Sequence, residues 1–182
     1  MKFLGPTSHP RLNEALAFVF LIAGFLVFLA LVSYSPLDSS WNTVVGTAAP
    51  ANLIGAFGAW MSDLMLQAFG LAAYTIPMLI LALGWKWVRS SEIDSPWIKS
   101  IGGLLWVAAT CTALGMLREW TPIAGTLPAG GLLGLLAADA MVARFNTVGS
   151  VMITLVVWVV SLYMFSTFEV AMLSRWFAGP VA

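Results

Sequence analysis

The sequence predicts an all-α membrane protein, with four transmembrane helices and two short amphipathic helices on the outward side. Three observations carry this reading. The 182 residues are 60% hydrophobic and 9% charged, with a mean hydropathy of +0.94, whereas a soluble domain uses about 25% charged residues to cover its core. Four apolar segments are long enough to cross a bilayer. Two shorter apolar segments share one spacing pattern, each just ahead of an even-numbered span. Net charge is zero and no basic patch occurs, so the chain offers no electrostatic ground for direct DNA binding.

The first apolar run, Ala15–Val32, has 18 uncharged residues, about 27 Å of helix. It is longer than the roughly 7–15 residues of a signal-peptide core, and no small-x-small cleavage site follows, so a retained span over about 15–34 is expected. The tail 1–14 before it carries Lys2 and Arg11. Leu53–Val88 is 36 residues, about 54 Å as one helix, against a hydrocarbon core of about 30 Å. The segment must break, and Gly70 is the expected joint, leaving a short helix at about 53–69 and a span at 71–88. Pro77 falls within that span, where a kink is tolerated. The third and fourth spans are expected at 100–117 and 148–168, with a short helix at 131–145 between them. The four-span domain thus covers 15–168 and is followed by an end segment, 169–182.

The two short helices repeat in their letters. Gly55, Gly58, Asp63 and Phe69 fit G-x-x-G-x4-D-x5-F, and Gly131, Gly134, Asp139 and Phe145 fit it again, each 76 residues later. This spacing predicts a parallel two-hairpin repeat. Lysine and arginine counts orient it. Lys2, Arg11, Lys86, Arg89, Lys99 and Arg175 fall on one side, and only Arg118 and Arg144 on the other. The positive-inside rule then puts both termini in the cytoplasm and both short helices outside.

On helical spacing, Gly55, Ala59, Ser62, Asp63 and Gln67 share one small or polar face. Phe57, Trp60, Met61, Leu64 and Met65 share the other. The pattern predicts a helix lying along the outer leaflet, with Asp63 in contact with water. In the second copy Asp139 and Arg144 supply the polarity. The candidate interaction surface is therefore Phe57, Trp60, Met61, Asp63 and Leu64 with Leu133, Leu136 and Asp139, an apolar patch meeting a neighbour or lipid.

Catalytic patterns are missing. The chain has no G-K-[ST], so no P-loop, and one cysteine with one histidine builds no zinc site. Cys111 reads as a small core residue and His9 as part of a solvated tail. No catalytic residue, cofactor or metal is expected. Spans 1 and 3 carry no charge, and spans 2 and 4 carry it only at their ends, which leaves no evident ion relay. Two readings stay open on the residues: an anchoring and interaction module, or a transporter or pore subunit using Asp63 and Asp139.

The strings "LVSYSPLDSSWN" (31–42), "NLIGAFGAWMSDLMLQAFGLAAYTIPMLILALGW" (52–85), "PAGGLLG" (128–134) and "FNTVGS" (145–150) resemble the amino-terminal four-span domain of the FtsK/SpoIIIE DNA translocase family over about 31–168. The resemblance implies a bacterial inner-membrane anchor enriched at the division septum, acting in cell division and chromosome segregation. It implies a homo-oligomer, hexameric in the family, that contacts cell-division membrane proteins. It also implies a cytoplasmic linker and a RecA-like ATPase motor through which DNA is reached. Neither is in this sequence, which is expected to be a fragment of a longer protein or else a free-standing relative, and none of the motor's residues can be carried onto it.

Overall fold

The computed structural model describes residues 5–41, 49–91 and 94–166, and they are helical apart from turns and one isolated antiparallel bridge, Ile123 with Leu127. The expectations for Lys2, Arg175 and the 169–182 end lie outside the described residues. Helix α1 is Pro10–Val32, α2 is Gly55–Phe69, a 3-10 segment runs Gly70–Tyr74, α3 is Thr75–Val88, α4 is Pro96–Gly115 and α5 is Gly131–Phe165. Among the described residues, four stretches are long and apolar enough to cross a membrane: α1, the run Gly55–Val88, α4 and α5.

Helix α1 starts five residues ahead of the apolar run, so part of the expected 1–14 tail is helical. Pro10 at the first turn explains this, since the N–H it lacks has no intrahelical partner there anyway. Asn13 is 1% exposed and fastens the entry. Its Oδ1 accepts from the Thr7 N–H at 2.7 Å, and its Nδ2 donates to the Thr7 carbonyl at 2.8 Å. Its Nδ2 also reaches Ser90 Oγ at 3.5 Å, which sets the start of α1 beside the end of α3. Helix α4 likewise begins early, at Pro96 rather than 100, again with proline in the first turn. Pro77 lies in the first turn of α3, next to the 3-10 segment. Its missing N–H therefore falls at a junction rather than mid-span.

The chain changes course at Gly70 (φ 59°, ψ −140°), a conformation that side chains disfavour. Helix α5 breaks in the same manner at Asn146 (φ 57°, ψ 171°), which divides 131–145 from 147–165. Gly70 and Asn146 are 76 residues apart. So are Gly55 (φ 72°) and Gly131 (φ 63°), which open the two short helices.

Packing pairs α1 with α3 and α4 with α5. In the first pair, a Cβ on Gly24 would stand 2.9 Å from Leu81 Cγ, and one on Gly84 would stand 3.0 Å from Leu21 Cγ. Each glycine is the hollow that seats the other helix's leucine, the close packing that small residues permit between membrane helices. Helices α3 and α4 barely touch. The two hairpins are joined instead through α2, the 3-10 segment and the first half of α5. The Leu71 N–H donates to the Ala129 carbonyl at 2.8 Å at that junction. The buried clusters lie there too: Leu31, Leu66, Ala73 and Ile123 form one, Ala72, Val107 and Cys111 the other, and Phe69 packs on both.

Candidate interaction surface

A helix end leaves its last four carbonyls without intrahelical donors, and at the end of α1 the C-cap residue Ser33 and side chains from further along the chain supply them. Leu29 O accepts the Ser33 hydroxyl at 2.6 Å, Ala30 O accepts Asn52 Nδ2 at 2.8 Å, and Leu31 O accepts the Tyr74 hydroxyl at 3.0 Å. Asn52, 4% exposed, is the hub. Its N–H donates to Asp38 Oδ2 at 2.9 Å, while the Ala51 N–H donates to Asp38 Oδ1 at 2.7 Å. Its Nδ2 also reaches Ser62 Oγ at 3.4 Å. The segment leaving α1 is thereby stitched to the start of α2, and this fixes how α2 can turn.

The small face of α2 is turned inward. Gly58, Ala59, Ser62, Asp63 and Leu66 are buried, and the bulky residues point away from the protein, with Phe57 67%, Leu64 50% and Trp60 39% exposed. Met61 is half-buried. The expectation that Asp63 touches water is therefore corrected. It is 5% exposed and cannot form part of an outer patch. The division into two faces was legible, but the polar face meets protein because a buried carboxylate needs partners and the segment after α1 provides one. The Tyr34 hydroxyl donates to Asp63 Oδ1 at 3.2 Å, and Gln67 Nε2 donates to Asp63 Oδ2 at 2.8 Å. Burial first, and then the Asp63 charge, push the Tyr34 phenol from 10.0 up to about 12.

In the second short helix the corresponding aspartate lies at the surface. Asp139 pairs with Arg118, and both side chains are more than half exposed. Leu133 and Leu136 are exposed beside it, and Arg144 folds back onto the Ala140 carbonyl at 2.9 Å. Both aspartates thus bind a residue just beyond the preceding span: Tyr34 after α1, Arg118 after α4. One carboxylate is buried and the other solvated. Among the described residues, no three of His, Cys, Asp or Glu gather as a metal site would require.

Sequence reasoning did not single out Asn52, Asp38 and Tyr34 as a network. The signal for it was polar residues flanked by proline or glycine immediately outside apolar spans. Nor did it pair Trp41 with Trp60, whose rings stack with centroids 4.3 Å apart. That contact extends the exposed face of α2 onto the loop after α1.

Four apolar helical stretches, joined through α2, the 3-10 segment and the first half of α5, define a multi-pass membrane domain. Residues 9–178 match the family model described as the 4TM region of DNA translocase FtsK/SpoIIIE, and the chain belongs to that family. It is similar to the DNA translocase FtsK of Shewanella oneidensis, at 30% identity over 155 residues, covering 80% of this chain and 16% of the relative. The DNA translocase FtsK of Azospirillum brasilense is 30% identical over 144 residues (77% and 22%), and that of Vibrio parahaemolyticus is 28% identical over 156 (81% and 15%). The chain therefore spans under a quarter of the length of each of these relatives. No solved structure matches.

Proposed function

We infer that this domain is the membrane anchor and the oligomerisation and interaction module of a septal DNA translocase, acting in cell division and chromosome segregation in the bacterial inner membrane. The observation that carries the reading is the outward row Phe57, Trp60 and Leu64 on α2, whose polar side is already consumed by Asn52, Tyr34 and Gln67. A helix that spends its polar groups internally and presents aromatic and aliphatic ones outward suits contact with lipid or another membrane protein. Leu133 and Leu136 extend the surface on the second short helix.

The excess of lysine and arginine on one side of the sequence-derived topology supports an orientation with both termini in the cytoplasm and α2 with the first half of α5 on the outer side. A carboxyl-terminal linker and motor would then hang in the cytoplasm, where DNA is. The matching turns at Gly55 and Gly131, and at Gly70 and Asn146, support a parallel two-hairpin repeat. The partners are further copies of the chain, in the hexamer expected of the family, and cell-division membrane proteins. Transport through Asp63 and Asp139 gains no support, since one carboxylate is enclosed by Tyr34 and Gln67 and the other is paired at the surface with Arg118.

A fluorescent fusion of residues 1–182 tests this in dividing cells. Midcell enrichment is expected, and Phe57→Ser with Trp60→Ser should reduce it or reduce self-association. Uniform membrane signal from the unaltered domain would count against the reading.

A further inference from the structure

We propose that the groove between the two hairpins binds an anionic phospholipid, its phosphate held by Lys86 and Lys99. The sparse contact between α3 and α4 leaves a cavity of about 1040 Å³ between them. Its walls are aliphatic: Ile76, Leu79 and Leu83 from α3 face Leu104, Val107 and Ala108 from α4. Leu104, 72% exposed, shows that the groove is open to the surroundings of the bundle. In a membrane domain those surroundings are lipid.

The groove has two unlike ends. One is closed by Phe69, Leu133 and Ala137, at the junction that joins the hairpins. The other holds Lys86 from α3 and Lys99 from α4, both lining the cavity. Asp94 is the nearby carboxylate, yet among the described residues neither lysine lies within 4.0 Å of an acidic partner. Arg89 is at the same end of α3 but stacks over the Trp85 ring at 4.9 Å and does not line the groove. Two half-buried cations thus share this end of the groove, and among the described residues neither has an acidic partner within 4.0 Å, an arrangement that a phosphate diester would relieve.

Length selects the occupant. From Lys99 to Thr112 is 13 residues of α4, about 20 Å, and the hydrocarbon of one leaflet is about 15 Å, half of the ~30 Å core. A transmembrane helix from a second copy would need the full thickness and would meet the floor at Phe69. A phospholipid of one leaflet has the required form: a charged head at the lysines and acyl chains ending at the floor. The inference does not depend on septal function or on which side is cytoplasmic.

The test uses the full chain purified in detergent. Native mass spectrometry measures retention of added phosphatidylglycerol against phosphatidylcholine of the same acyl chains. Phosphatidylglycerol should be preferred, and Lys86→Gln with Lys99→Gln should weaken its retention about 30-fold, from the usual contribution of each basic residue. Phosphatidylcholine should be little affected by those changes. Ala108→Phe should reduce both lipids by filling the groove, with Ala108→Leu as the milder filling if the larger side chain prevents folding. Arg89→Gln should leave the preference intact. Equal retention of the two lipids would overturn the proposal, as would an equal loss from Arg89→Gln. Disulfide joining of two copies through Leu104→Cys, in a Cys111→Ser background with lipid supplied, would assign the groove to a second chain and overturn it as well.

Discussion

Tyr34 donates its hydroxyl to the buried carboxylate of Asp63 at 3.2 Å, tying the exit of α1 to the middle of α2. Asp139, 76 residues on, makes the corresponding tie to Arg118 beyond α4, but at the surface. The same connection is built once in protein and once in water. Its energetic weight should differ accordingly.

Removing the Tyr34 hydroxyl leaves a buried carboxylate with only Gln67 as its described donor. Hydrogen bonds to charged groups contribute about 1.5–3 kcal/mol, so Tyr34→Phe should lower stability by that order. An exposed ion pair contributes about 0–1 kcal/mol and is screened by salt, so Asp139→Asn should cost less, and nothing measurable in concentrated salt. Unfolding of both variants in detergent, at low and high ionic strength, checks the ranking. A larger loss from Asp139→Asn would refute it.

The same hydrogen bond predicts an alkaline limit. The Tyr34 phenol is raised from 10.0 to about 12, by burial first and by Asp63 second, so the folded state favours the protonated phenol. That contribution is complete below pH 10 and is lost as pH rises through 12, because unfolded tyrosine ionises first. Tyrosinate absorbance should show a late-titrating group that disappears in Tyr34→Phe. The stability advantage over that variant should shrink between pH 10 and 12. A phenol at Tyr34 that titrates near 10 would contradict the buried contact.

How much of this was legible follows from what each feature depends on. Apolar length is local information, so the four crossings can be read directly from the letters. The break at Gly70 follows from the same length argument, since 53–88 does not fit one bilayer thickness, and the one at Asn146 falls between the short helix expected at 131–145 and the span expected at 148–168. Asp63 was harder. The helical pattern separated its two faces but could not say which met water, because the partner that satisfies the carboxylate, Tyr34, lies in another segment 29 residues earlier. The groove at Lys86 and Lys99 was illegible for a related reason, for it exists only because α3 and α4 diverge, which no local pattern records.

Asn146 offers a test of the second break. At φ 57° a residue with a branched side chain is strained, whereas glycine is not and asparagine is tolerated. The side chain also accepts the Thr147 N–H at 2.7 Å, opening the second half of α5. Asn146→Gly should therefore fold with a small change in stability, and Asn146→Val should lose about 1–2 kcal/mol. Equal behaviour of the two in an unfolding titration would mean that α5 runs straight through this position.

The contact between α4 and α5 makes the sharpest contrast between two glycines. A Cβ on Gly134 would collide with the Cys111 carbonyl oxygen, and one on Gly115 with the Gly134 carbonyl oxygen. These neighbours are backbone, so relief requires moving a helix rather than rotating a side chain. Overpacking of this kind costs about 1–3 kcal/mol. Gly103 is on the same helix as Gly115, yet a Cβ there would find its nearest neighbour, Phe165 Cδ2, at 3.6 Å, an ordinary contact. In a helix interior, alanine at such a site is favoured over glycine by about 1 kcal/mol. Gly134→Ala should therefore destabilise the domain and Gly103→Ala should stabilise it. Unfolding midpoints in a denaturing-detergent titration read both signs, and two shifts in the same direction would show that backbone contact at the α4–α5 crossing is not what limits its packing.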